Sequence, residues 1–122
     1  MYCYVSYFSG FIYPRLLFAQ NLVRNNSFET INYCDSLNAG ITIGNAPPWD
    51  SPSNGTSDLY NVCSVIYNYG VPQNFVGYQY PHSGNGYVGL VWYSNYREYL
   101  QIKLDSVLNP QETYCVSFYV NR

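Results

Sequence analysis

Gly84-Asn85-Gly86-Tyr87-Val88-Gly89 has the G-x-G-x-x-G spacing of a dinucleotide-binding turn, and Asp105 follows about 20 residues on, where such a site needs its acid. The chemistry would be phosphate held by backbone N–H groups at the start of a helix. The surroundings do not supply that helix. Pro81-His82-Ser83 stands where a strand should lead in, and an aromatic, β-branched run follows the motif. The glycines are expected instead to turn the chain tightly into a strand, with Asn85 tolerating left-handed backbone.

Catalytic constellations are equally thin. His82 is the one histidine, in a loop-like stretch, and Cys115 has no cationic neighbour in sequence to ionise its thiol. The acids Glu29, Asp35, Asp50, Asp58, Glu98, Asp105 and Glu112 are scattered. No enzyme is expected. The strongest signal is aromatic. Trp49, Tyr78, Tyr80, Tyr93 and Tyr96 lie in or beside loops rich in Asn and Ser, with no packing duty visible from periodicity. Such rings suit sugars, whose C–H faces stack on π systems while neutral side chains bond their hydroxyls. Trp49, Tyr78, Tyr93 and Tyr96 are the expected ligand-stacking residues. Asn25-Asn26-Ser27 and Asn54-Gly55-Thr56 are formal glycosylation sequons.

The elements that must position these rings read as strands. Residues 86–93 are apolar on both faces. Residues 97–104 place Leu100, Ile102 and Leu104 on one face and Tyr99, Gln101 and Lys103 on the other. Residues 113–120 alternate too, with Tyr114, Val116, Phe118 and Val120 expected inward. Asn109-Pro110-Gln111-Glu112 is a turn before that strand. Shorter candidates are 21–23, 27–31 and 41–43. No segment keeps helical spacing for three turns. The loops 44–57 and 68–86 are long, and such loops are where binding sites concentrate.

Composition narrows the class. The chain has 122 residues, the size of one domain. Charged residues make up 10%, against roughly a quarter in ordinary soluble domains, and aromatics 20%, with 16 tyrosines. Seven acids against five bases, with no basic cluster, exclude electrostatic binding to nucleic acid. No run approaches the about 20 apolar residues of a membrane helix. Tyr, Asn, Ser and Gly in abundance at low charge point to an exported β-rich binding domain.

Residues 1–19 end in Leu16-Leu17-Phe18-Ala19 before Gln20, like the tail of a secretory signal peptide cleaved after Ala19; the other reading is a buried first strand. Export is the expectation, with 20–122 as the mature module. Cys3 would then leave, and three cysteines allow one internal disulfide. Cys34 and Cys63, both in polar, loop-like surroundings, are the expected pair. Cys115 would remain a strand-embedded thiol.

Several motifs together resemble a known family. Asn21-Leu22-Val23-Arg24-Asn25-Asn26-Ser27-Phe28-Glu29, Pro47-Pro48-Trp49, Ser83-Gly84-Asn85-Gly86-Tyr87 and the paired runs 96–104 and 113–120 resemble carbohydrate-binding-module-like jelly rolls. The particular likeness is to N-terminal modules of gliding-type bacterial surface proteins, joined to OmpA-like or type IX secretion domains. The resemblance implies an all-β, galactose-binding-like jelly-roll sandwich. It also implies a structural calcium with Glu29 among its ligands. About six strands are visible where a jelly roll has eight, so a module continuing beyond residue 122 is expected. The expected function is non-catalytic, extracellular binding with a glycan as ligand. The alternative is a structural module that binds a cell-surface protein, or a second copy through the edge of 113–120.

Overall fold

The computed structural model describes residues 20–34 and 41–121. The expected leader over 1–19 lies outside the described residues. Six short strands follow one another: β1 (Asp58–Asn61), β2 (Gln73–Asn74), β3 (Gly77–Tyr78), β4 (Gly86–Gly89), β5 (Trp92–Tyr93) and β6 (Tyr96–Arg97). Two single 3-10 turns, Ile43–Asn45 and Tyr67–Tyr69, are the only helical pieces among the described residues. The protein is therefore all-β in its regular structure. Its strands form three two-stranded antiparallel sheets: β1 with β4, β2 with β3, and β5 with β6.

β1 organises the core because its two faces differ. Leu59 points to one side, where Ile41, Ile43 and Ala46 are buried with it, and Phe28, Ile31, Trp49, Val88 and Leu100 pack around them. Tyr60, on the opposite face as strand alternation demands, meets the rings of Tyr69, Phe75 and Tyr87 at 5.2–6.3 Å. The backbone of β1 is held on both edges. β4 pairs with it from Asp58↔Gly89 to Asn61↔Gly86, while Leu59 N–H donates to the Ile41 carbonyl and Ile43 N–H to the Ser57 carbonyl.

The glycine-rich run over 84–89 serves this ladder. Gly84 has φ +70°, so the left-handed residue is Gly84 and not the expected Asn85. A side chain at Gly89 would sit 2.5 Å from the Tyr60 ring, so only glycine lets the strand pass that ring. The expected single strand over 86–93 is thus divided. β4 ends at Gly89, and the chain re-forms pairing two residues later in the β5–β6 hairpin. Residues 97–104 are likewise strand only at their start, with one further bridge between Asp50 and Gln101.

The segments 21–23 and 27–31 form no strand, and the chain turns between them at 24–27. The cause is Asn25, at φ +46°, whose side-chain amide donates to the carbonyls of Thr30 and Pro47 and accepts the Thr30 N–H. This local bonding replaces a ladder. Residues 113–121 also differ from expectation. They join no ladder among the described residues, and Val116, Phe118 and Val120 are exposed instead of inward.

Cys34 and Cys63 form the expected disulfide, with Cα atoms 5.9 Å apart. Cys115 is disulfide-bonded as well, which overturns the expectation of a free thiol there. The 34–63 bridge closes a loop of 29 residues beside a core of few fully buried side chains. In the loop-entropy account that restriction is worth about 3–4 kcal/mol. A Cys34→Ser/Cys63→Ser double variant is expected to lower denaturant stability by about that amount, measured by urea unfolding of both proteins. An unchanged midpoint would contradict it.

Candidate functional site

The β5–β6 hairpin is the most exposed aromatic element that the fold holds rigidly. Ser94, at φ +49°, and Asn95 make its two-residue turn, so Tyr93 pairs with Tyr96 and Trp92 with Arg97. Directly paired residues share a face, which places Tyr93 and Tyr96 on one side and Trp92 and Arg97 on the other. Trp92 is 77% exposed, Tyr93 78%, Tyr96 43% and the nearby Tyr99 50%. The Trp92 indole N–H and the Tyr93 hydroxyl have no hydrogen-bond partner among the described residues, and neither ring stacks on another. The Arg97 guanidinium lies 4.6 Å from the Trp92 ring centroid. It also donates through Nη1 to the carbonyls of Ser94 and Tyr96, bracing the turn.

Glu98 braces the hairpin from beneath. Its side chain is buried, and its carboxylate accepts the Val91 N–H at 2.6 Å and the Tyr96 hydroxyl at 2.8 Å. Val91 would otherwise have an orphan donor just where the ladder is interrupted. The Tyr96 oxygen in turn accepts the Thr56 N–H at 3.2 Å, and the Ser57 hydroxyl donates to the Tyr99 carbonyl at 3.0 Å. The loop carrying Ser53, Asn54 and Gly55 is thereby stitched to the hairpin. Between them lies an open cleft of about 310 Å³, lined also by Asn95, Tyr96, Arg97 and Tyr99.

The sequence-predicted residues divide. Tyr93 and Tyr96 come together as cross-strand partners. Tyr78 stands in the β2–β3 hairpin, exposed, with its ring edge-on to Tyr80 at 5.6 Å and its hydroxyl donating to the Tyr80 oxygen. That bond holds the Tyr78 hydroxyl above its ordinary pKa. Trp49 is half-buried against the core, 5.0 Å from the Phe28 ring, and its indole N–H donates to the Asn25 carbonyl at 2.8 Å. Of the two sequons, Asn25 has its amide engaged in the turn described above, whereas Asn54 is exposed in the cleft loop.

Glu29 accepts the Asn85 N–H on one oxygen and the Asn85 side-chain amide on the other, both at 2.8 Å. The arrangement suits a clamp on the 84–86 turn. Among the described residues no group of three His, Cys, Asp or Glu side chains could hold a metal ion, so the donor set gives no support for the calcium that the family likeness implies. Nor is any helix among the described residues long and apolar enough to cross a membrane.

Trp92, Arg97 and Glu98 were not among the expected site residues because 86–93 and 97–104 read as continuous strands. The signal was present in Ser94-Asn95, two turn-forming residues between aromatic runs. Searches against family models, curated proteins and solved structures find no match for the chain. What the protein does must therefore be argued from its own geometry.

Asp58, at the start of β1, supplies a pH test of that geometry. Burial and then the charge of Glu98 raise its pKa, while its bond from the Tyr60 hydroxyl opposes the shift. The folded state thus binds this proton more readily than the unfolded chain. Stability from this group is present at acid pH and lost as pH rises from the ordinary carboxylate range through the raised folded value. Asp58→Asn is expected to raise the melting temperature at pH 7, with the gain shrinking as pH falls towards about 4 and gone below it. Thermal melts of both proteins from pH 3 to pH 7 check it; a gain independent of pH would contradict it.

Proposed function

We propose that the chain is a non-catalytic, glycan-binding module of an exported surface protein, with the β5–β6 hairpin as its binding platform. The observation that carries this reading is a set of open rings on a braced hairpin. Trp92 and Tyr93 present polar handles with no internal partner, beside a cleft edged by Ser53, Asn54 and Asn95. Exposed rings occur elsewhere in the chain, but Tyr78 and Tyr80 bond each other, and Trp49 packs on the core. Binding would proceed by stacking of sugar C–H faces on Tyr93 and Tyr96 on one side of the hairpin and on Trp92 on the other, with the Asn and Ser groups selecting hydroxyl geometry. Export is supported by the disulfides and the low charge content. The jelly-roll architecture belongs to the same reading. It is supported by the motif resemblance and by the antiparallel pairing of β1 with β4, strands not adjacent in sequence.

The test is a glycan array followed by calorimetry on the hits. Trp92→Ala/Tyr93→Ala is expected to weaken binding at least about tenfold with the melting temperature nearly unchanged, since both side chains are exposed. Trp49→Ala should do the reverse, costing about 2–4 kcal/mol of stability through lost packing. A silent array, or binding indifferent to the hairpin variant, would overturn the proposal.

A second reading has its own observation. Val116 and Phe118, Tyr119 and Val120, separated only by Ser117, form an exposed, largely apolar stretch, which favours a protein-binding or self-associating structural module. Sedimentation velocity over a hundredfold concentration range would show association on that reading, and a monomer throughout would count against it.

A further inference from the structure

We infer that the hairpin cleft selects acidic glycans, with Arg97 as the residue that recognises their anionic group. The inference rests on the glycan-binding reading above and goes beyond it in naming the ligand class.

Three features of Arg97 carry it. First, it has no acidic partner among the described residues. The one ion pair among the described residues joins Arg24 to Asp105, and Arg97 has no carboxylate within ion-pair distance. In a chain with seven acids and five bases, an unneutralised guanidinium in a cleft is a distinct local charge. Second, it is already held in place. Nη1 donates to the carbonyls of Ser94 and Tyr96, and the guanidinium lies over the Trp92 ring. Nε and Nη2 donate to nothing among the described residues. Those two nitrogens form the side edge of the guanidinium, where two N–H bonds lie parallel and match two oxygens of a carboxylate or sulfate. Because the fork is fixed before the ligand arrives, little side-chain entropy is lost on pairing.

Third, the surroundings suit a charged sugar and not a bare ion. Arg97 is the single charged residue lining the cleft. Glu98, its neighbour in sequence, turns its carboxylate inward to Val91 and Tyr96 and so does not compete for the fork. The other lining groups are neutral amides, a hydroxyl and the two tyrosine rings, which are what a sugar ring needs beside its acid group. A uronate carboxylate and a sulfate ester share the chemistry that Arg97 would read, two oxygens presented together.

The experiment uses the whole oxidised protein and matched oligosaccharides. Galacturonate, glucuronate and mannuronate hexamers are compared with their methyl esters, which keep the ring shape and lose the charge. A sulfated galactose hexamer is compared with its unsulfated form. Neutral glycans that score on the array serve as the reference. Calorimetry is expected to show at least one acidic member binding about tenfold tighter than its neutral counterpart, with the preference falling as salt is raised. A uronate preference assigns the anion to a carboxylate; a preference confined to the sulfated pair assigns it to a sulfate ester. Arg97→Gln is expected to bring the acid-to-neutral ratio close to one. Arg97→Lys, which keeps the charge and loses the fork, should leave an intermediate ratio. Near-ultraviolet circular dichroism of both variants checks that the hairpin persists. Acidic and neutral members binding alike, while neutral glycans still bind, would overturn the inference and leave the platform standing. A preference that survives Arg97→Gln intact would overturn the role of Arg97. Failure of every glycan, charged or neutral, would overturn the platform and the inference together.

Discussion

The buried Glu98 carboxylate is the joint on which the exposed half of the molecule depends. β4 ends at Gly89, so the Val91 N–H has no ladder partner, and Glu98 supplies an acceptor in its place. The other oxygen takes the Tyr96 hydroxyl, whose own oxygen accepts from the loop at Thr56. One side chain thereby joins the interrupted strand and the hairpin to a loop 42 positions earlier in sequence. A buried carboxylate without such donors would be costly, and here both of its oxygens are satisfied. The nearby Asp58 shows the other side of the same field, since part of the reason its carboxyl holds a proton more readily is the charge of Glu98.

This placement explains a feature that is otherwise odd in a chain with so many tyrosines. Most rings near β1 pack on one another: Tyr60 alone meets Tyr69, Phe75 and Tyr87. The hairpin rings do not. The hairpin is held by polar bonds from below and by Arg97 across its turn, so its aromatic faces are not needed as packing material. Rings released from structural duty in this way are available to a ligand. Preorganisation and availability come from the same set of bonds.

How much of this was legible in the residues follows from which forces were local. The all-β character, the 34–63 disulfide and the turn-forming use of Gly84 were readable from alternation, loop context and glycine spacing. The division of 86–93 was not, because the β4 ladder ends where its partner β1 begins, at Asp58↔Gly89, a register that no residue of 86–93 announces by itself. Trp49 read as an unengaged loop ring because its two partners, Phe28 and the Asn25 carbonyl, come from a turn that only the Asn25 side chain makes. Likewise Glu98 read as one scattered acid among seven. Its meaning lies in a donor at Val91 that becomes orphaned only when the strand breaks.

The two-tier construction also bears on how the hairpin can work as a recognition element at all. A two-stranded hairpin alone is marginal in water, and β5 and β6 contribute only two residues each. Hydrophobic burial does not hold it, for its large side chains face solvent. What fixes it is directional: the carboxylate of Glu98 beneath, the Ser57–Tyr99 bond beside it and the Arg97 Nη1 across its tip. Directional bonds set orientation more sharply than packing does. On the proposed reading, a surface that presents rings and one cation to a sugar gains more from that sharpness than from a larger apolar core.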